Sequence, residues 1–115
     1  MEKEDKQLLF IDLCARLPYG VKVKCGSEIL TFNVNWLQMF QYHLDEIKPY
    51  LRPMSSMTEE ELKMFKQLQV EADEAGTFEG DMLLYDWLNK NHFDYRLLIF
   101  QGLALEAPEG MYKTK

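Results

Sequence analysis

Two periodicities divide this chain near its middle. Between Glu4 and Leu17 the apolar residues Leu9, Phe10, Leu13, Cys14 and Leu17 recur at steps of one, three and four, which marks one face of an amphipathic helix. Asp5 is placed to cap that helix or to sit in its first turn, and Pro18-Tyr19-Gly20 stops it. The period then changes to two. Val21 to Cys25 alternates, as does Leu30 to Val34 with Glu28-Ile29 leading in, so residues 21–34 read as a β-hairpin turning at Gly26-Ser27. A two-residue turn with Gly first suits type II′.

Residues 35–46 carry Trp36, Leu37, Phe40 and Leu44, followed by Ile47, at helical spacing, although so many aromatics would also suit a strand; the reading taken is a short helix. Pro49 and Pro53 push Lys48 and Arg52 toward extended geometry, so 47–53 is expected as an extended segment along one edge of the hairpin, where the missing N–H of Pro49 is tolerated.

The second half opens on a strong signal. Thr58 followed three residues later by Glu61 is a capping box, which starts a helix over Glu59–Ala75 with Leu62, Phe65, Leu68, Ala72 and Ala75 along one face and Gly76 as its left-handed stop. Thr77 to Gly80 is expected as a connector. Asp81 then caps a helix carrying Met82, Leu83, Tyr85, Trp87 and Leu88, which Asn89-Lys90-Asn91-His92 breaks. Asp94 is expected to cap a further short helix through Gln101, with Leu97, Leu98 and Phe100 buried. The apolar tail from Leu103 should pack back, while Lys113-Thr114-Lys115 frays. Together these elements predict one α+β domain over 1–115. Its small antiparallel sheet, made of hairpin 21–34 and the segment near 47–53, is packed by an N-terminal helix and a C-terminal helical half.

Composition supports a folded globule. A chain of 115 residues can bury on the order of two thirds of its unfolded surface, and no apolar run approaches the roughly 18 residues of a membrane span. The N-terminal Met1 to Gln7 stretch is charged with both signs and lacks the order of a secretory signal, so a cytoplasmic location with no membrane association is expected.

Charge is unevenly spread. Between Thr58 and Asp81 eight acids stand against Lys63 and Lys66, so this window carries the entire net charge of −6. It reads first as a solvated helix face. No cluster of Lys and Arg is present, which argues against direct nucleic-acid binding.

Catalytic constellations are absent from the sequence. Cys14 and Cys25 make no disulfide framework and read as small core residues; with His43 and His92 they are too scattered for a zinc site. No signature surrounds either cysteine as a nucleophile, carboxylate pairs such as Asp86 with Asp94 arise by chance in an acidic chain, and the glycines form no phosphate-cradling loop. No catalytic residue, metal or cofactor is assigned.

Several strings resemble a family of small uncharacterised proteins of gut Bacteroidales and their bacteriophages. They are Asp12–Val21, Ile47–Glu60, and, within Asp86–Tyr112, Asp86 to Asn89, His92 to Arg96 and Gly102 to Tyr112. The resemblance implies a phage or mobile-element source and brings no activity, cofactor or catalytic residue with it. This chain departs from the family pattern in having Leu97 where a glycine would follow Tyr95-Arg96, and Phe100 where a charged residue would stand.

The best candidate site is the joint after the second long helix. Tyr85, His92, Tyr95 and Arg96 concentrate side chains that suit interfaces, with Trp87 and Phe93 as core and with Tyr50 and Arg52 contributed by the extended segment. The plainer reading pairs Arg96 with a local acid, Asp94 or Glu106, inside a structural joint. The leading functional expectation is a non-catalytic module that engages a host protein. Two alternatives are an acidic mimic of nucleic acid and a binder of a nucleotide-like ligand, in which Arg52 or Arg96 pairs a phosphate.

Overall fold

The computed structural model describes residues 2–76 and 78–112. Four helices and four strands occur among them, in the order α1 (Lys3–Arg16), β1 (Lys22–Cys25), β2 (Glu28–Thr31), α2 (Val34–Tyr42), β3 (Ile47–Leu51), α3 (Glu59–Ala75), α4 (Phe78–Lys90) and β4 (Leu105–Glu106). The α+β class read from the sequence is the observed one. The sheet is mixed: the order is β2-β1-β3-β4, with β1 antiparallel to both its neighbours and β4 parallel to β3.

Helix α1 buries Leu9, Asp12, Leu13 and Arg16, one face at steps of three and four that includes two charges. Asp5 lies in its first turn, and the N-cap is Glu2, without a side-chain bond. The chain leaves through a 3₁₀ turn, Leu17–Tyr19, into Gly20 at φ +67°.

The hairpin register runs from Cys25↔Glu28 to Lys22↔Thr31. Gly26 has φ +63° and Ser27 does not share a positive φ, as a type II′ turn requires. The second strand stops at Thr31 instead of continuing to Val34. Asn33 ends it, accepting the Asn35 N–H on its Oδ1 at 2.9 Å and so capping α2 as a local side-chain turn. The helix expected within 35–46 is therefore present as α2, followed by a 3₁₀ turn over Leu44–Glu46; the side chains of Trp36 and Phe40 lie outside the described part.

Strand β3 lies along the hairpin as expected, but it is not the edge of the sheet. Strict alternation from the closing pair directs the backbone groups of Lys24 toward Lys48, which leaves Val23↔Pro49 as the pair that needs no N–H. Beyond the proline, β4 pairs Tyr50↔Leu105 and Leu51↔Glu106. The tail therefore packs back into the sheet, with Leu103 and Ala104 buried; Lys113–Lys115 lie outside the described residues.

Helix α3 has the predicted ends. Thr58 Oγ1 accepts the Glu61 N–H at 3.1 Å, the Thr58 N–H donates to Glu61 Oε1 at 3.0 Å, and Gly76 closes the helix at φ +58°. Its buried face is narrower than predicted: Ala72 is buried, Phe65 and Leu68 are half-buried, and Leu62 is exposed. The side chain of Ala75 lies outside the described part.

Helix α4 starts at Phe78, so Phe78 to Gly80 is helix and not a connector, and Thr77 lies outside the described residues. Gly80 lies inside the helix, at a position where a Cβ would stand 2.8 Å from the Ala72 Cα. Leu84, Leu88 and Asn89 are the buried residues, whereas Met82, Leu83 and Tyr85 are exposed.

No helix forms over 94–101. The Asp94 carboxylate does accept the Leu98 and Ile99 N–H groups at 2.8 and 3.0 Å, but Leu97 at φ +59° turns the chain out of any helix. Of the three residues expected to be buried there, Leu98 is buried and Leu97 and Phe100 are exposed.

Two buried clusters result. One joins α1, the sheet and Leu98 to Ala104; the other joins Leu84, Leu88 and Phe93 with Met54, Met57, Phe65, Leu68, Trp87 and Tyr95. Where they meet, the Arg52 N–H donates to the His92 carbonyl and the Asp94 N–H donates to the Arg52 carbonyl, each at 2.8 Å. This short parallel bridge ties the end of β3 to the loop after α4 and carries the candidate residues.

Candidate functional site

The joint is organised around a buried ion cluster. Asp12 and Arg16 are both fully buried one turn apart on α1: Arg16 donates from Nε to Oδ2 at 2.8 Å and from Nη2 to Oδ1 at 3.2 Å. Arg16 Nη2 also donates to the Phe93 carbonyl at 2.7 Å, which holds the loop after α4 against α1. Arg96 Nε donates to Asp12 Oδ1 at 3.1 Å, so one carboxylate serves two guanidinium groups. Its partner is Asp12 from the other end of the chain, not the local Asp94 or Glu106 of the sequence reading.

Tyr95 lies between these cations. Its ring faces Arg16 at 5.2 Å and Arg96 at 5.1 Å, and its hydroxyl donates to Asn89 Oδ1 at 2.8 Å. Tyr85 tilts against it with ring centroids 5.2 Å apart. Ala15, Tyr85, Asn89, Tyr95 and Arg96 line a shallow cavity of about 380 Å³. From there an exposed apolar stripe runs back along α4 through Tyr85, Met82 and Phe78, positions four and three apart on one helix face. Phe78 is 77% exposed, well beyond what a helix flank needs for packing. Glu79, Asp81 and Asp86, also exposed, border the stripe.

A second group of candidates gathers around a different cavity. Arg52 grips Glu61 with two hydrogen bonds, Nη2 to Oε1 at 2.6 Å and Nη1 to Oε2 at 2.8 Å, and lies 4.2 Å over the Phe93 ring. The Arg52 hydrogen bond is the main cause holding the Glu61 carboxyl below its ordinary range. His92 is buried at φ +62° and stacks on Tyr112 at 3.8 Å. Burial is the main cause that moves the His92 pKa down to about 4, followed by the charges of Arg16, Arg52 and Lys22.

Tyr112 was not read as a site residue, yet it completes the sheet. One step beyond the last β1–β3 pair, Val23↔Pro49, the Tyr112 hydroxyl bridges Lys22 and Tyr50, accepting the Lys22 N–H at 2.8 Å and donating to the Tyr50 carbonyl at 2.7 Å. Burial pushes its pKa up to about 12. Of Tyr50, then, the backbone carbonyl is what joins this group.

The six sequence candidates thus divide. Tyr85, Tyr95 and Arg96 share the shallow cavity with Asn89; Arg52 and His92 share a second cavity with Tyr112; Tyr50 touches the second group through its backbone. Asp12 and Arg16 carried a legible signal, since they fall on the same helix face as Leu9 and Leu13. Tyr112 carried none, being joined to its partners by contacts 62 and 90 residues distant. Cys14 and Cys25 are free and half-buried, and burial raises the Cys14 pKa.

No family model, curated protein or solved structure matches the chain. Among the described residues no helix is long and apolar enough to cross a membrane, and no group of three His, Cys, Asp or Glu side chains is placed to hold a metal ion.

Proposed function

We propose that the protein is a non-catalytic interaction module that engages a host protein in the cytoplasm, with α4 as its contact helix. The observation that carries this reading is the stripe Phe78, Met82 and Tyr85, exposed and continuous with the aromatic cavity at Tyr95. Exposed apolar area of this kind, rimmed by polar residues, marks interaction surfaces. The acidic border formed by Glu79, Asp81 and Asp86 favours a partner segment with an apolar face flanked by Lys or Arg. Arg96 is a positioning residue here, held by Asp12 and supporting the Tyr95 ring. A phage or mobile-element origin, implied by the sequence resemblance, fits a small module directed at a host protein.

The acidic-mimic alternative draws less support. Glu59 and Glu60 lie at one end of α3 and Glu71, Asp73 and Glu74 at the other, roughly 16 Å further along the axis. Lys63 and Lys66 interrupt them, and Glu61 is turned to Arg52. Regular phosphate-like spacing is not formed.

The test is affinity purification from host lysate with the parent chain and with the triple variant Phe78→Ser, Met82→Ser, Tyr85→Ala. The expected result is a specific protein recovered by the parent and lost by the variant at an unchanged melting temperature. Equal recovery by both overturns the assignment of α4.

A further inference from the structure

In an acidic chain, one site collects the opposite charge. A cavity of about 250 Å³ opens between the end of α4 and the tail, lined by Tyr19, Arg52, Lys90, Asn91, His92 and Tyr112. The charges of Arg16 and Lys22 also reach the His92 imidazole. Asp12 and Glu61 are the carboxylates that bond Arg16 and Arg52, and Asp12 is shared with Arg96. No carboxylate lines this cavity, and no ion pair to Lys90 is formed among the described residues, so its lining carries an unpaired cation.

Hydrogen-bonding capacity is also left over. Arg52 spends three of its five N–H groups, two on Glu61 and one on the Asn91 carbonyl at 3.5 Å, leaving Nε–H and one Nη2–H. Among the described residues His92, which lines the cavity, has its buried Nδ1 without a hydrogen-bond partner, although native interiors satisfy nearly every such atom. A guanidinium edge beside a lysine ammonium is a donor set matched to a tetrahedral oxyanion, the fork binding two oxygens and the ammonium serving as a point charge.

An adjoining cavity of about 440 Å³ shares Arg52 and Tyr112 and is lined further by Ser56, Thr58, Glu106 and Glu109. Its carboxylates repel a second anionic group but accept hydrogen bonds from hydroxyls. The pair of cavities therefore suits a ligand that is anionic at one end and rich in hydroxyls at the other. We propose that this site binds a small phosphomonoester of a sugar or nucleoside, with Arg52 and Lys90 holding the phosphoryl group beside His92 and with Glu106 and Glu109 facing the hydroxyls.

The experiment is an NMR titration of the full chain at pH 7 with sodium phosphate and with ribose 5-phosphate, each against sodium chloride at matched ionic strength. Saturable shifts at Lys90, Asn91, His92 and Tyr112 are expected with both. The His92 titration midpoint should rise by a unit or more, because a bound anion stabilises the imidazolium. Lys90→Ala, a surface change, should weaken binding at least fivefold without altering the melting temperature. Ribose 5-phosphate should bind about tenfold tighter than phosphate and extend the shifts to Ser56 and Ala107. Equal affinities, with shifts confined to the first cavity, would assign the site to free phosphate. Shifts no larger than those in chloride, or a Lys90→Ala variant that binds like the parent, overturn the proposal.

Discussion

Single residues decide the turns of this chain through sterics and hydrogen bonds of known size. Thr58 carries the cap of α3 through its hydroxyl, so Thr58→Ala should cost about 0.5–2 kcal/mol, several degrees of melting temperature in a domain of this length, and Thr58→Ser should retain most of the stability. Thermal unfolding of the two variants beside the parent checks this; equal melting of all three would place the helix start elsewhere. Leu97 is the reverse case. An exposed leucine at φ +59° is strained by about 1–2 kcal/mol, a strain that glycine does not suffer. Leu97→Gly should therefore raise the melting temperature or leave it unchanged despite the added unfolded-state entropy, and a clear drop would show that the leucine side chain makes contacts that outweigh the strain.

Between elements, close approach and borrowed hydrogen bonds matter more than propensity. Gly80 is a poor helix former in the first turns of α4, and on propensity alone Gly80→Ala should stabilise the helix by up to about 1 kcal/mol. The contact with the Ala72 backbone reverses the sign, because the added methyl would have to push α3 and α4 apart. The expected result is a loss of roughly 1–3 kcal/mol in denaturant unfolding. The sheet has a comparable joint, where the Tyr112 hydroxyl replaces a direct bond between Lys22 and Tyr50 as the strands diverge. Tyr112→Phe leaves both backbone groups without that partner and should cost about 1–3 kcal/mol.

For the whole molecule, these joints predict a stability window limited at both ends of the pH scale. His92 is held neutral, its pKa moved from the ordinary 6.5 to about 4, so the unfolded chain takes up a proton before the folded one does. Stability is therefore full above about pH 6.5 and declines as pH falls toward 4, by on the order of 2 kcal/mol after allowance for solvent screening. Glu61, held below its ordinary range by Arg52, adds a further loss at lower pH as its carboxylate is protonated. At the alkaline end Tyr112 is held protonated until about pH 12, so stability is full below pH 10 and is lost between 10 and 12. Denaturant unfolding across pH 4–12 should show both limbs. His92→Asn, which tolerates the left-handed backbone, should flatten the acid limb, and Tyr112→Phe the alkaline one. A profile unchanged by either substitution would remove these two groups as its cause. The molecule measures 42 × 29 × 26 Å, so it is elongated, and α3 can be solvated on much of its surface, as its exposed apolar and acidic residues require.

What the sequence determined by itself was local. Helix α1, the Gly26-Ser27 turn, the capping box at Thr58 and the stop at Gly76 each depend on residues within four positions of one another, and each stands where its pattern placed it. The elements it misjudged depended on distant partners. Asp94 caps no helix, since its carboxylate takes the N–H groups four and five residues on instead of two or three on and Leu97 turns the chain at φ +59°, and Gly80 reads as a linker until Ala72 is seen against it. The site residues follow the same division. Composition could nominate Tyr85, Tyr95 and Arg96, since aromatic and arginine side chains suit interfaces whatever their neighbours. Only tertiary structure could pair Arg96 with Asp12 across 84 residues, separate Arg52 and His92 into a cavity of their own, and bring Tyr112 between two strands, because pairings between residues far apart in the chain leave no periodic trace in the sequence.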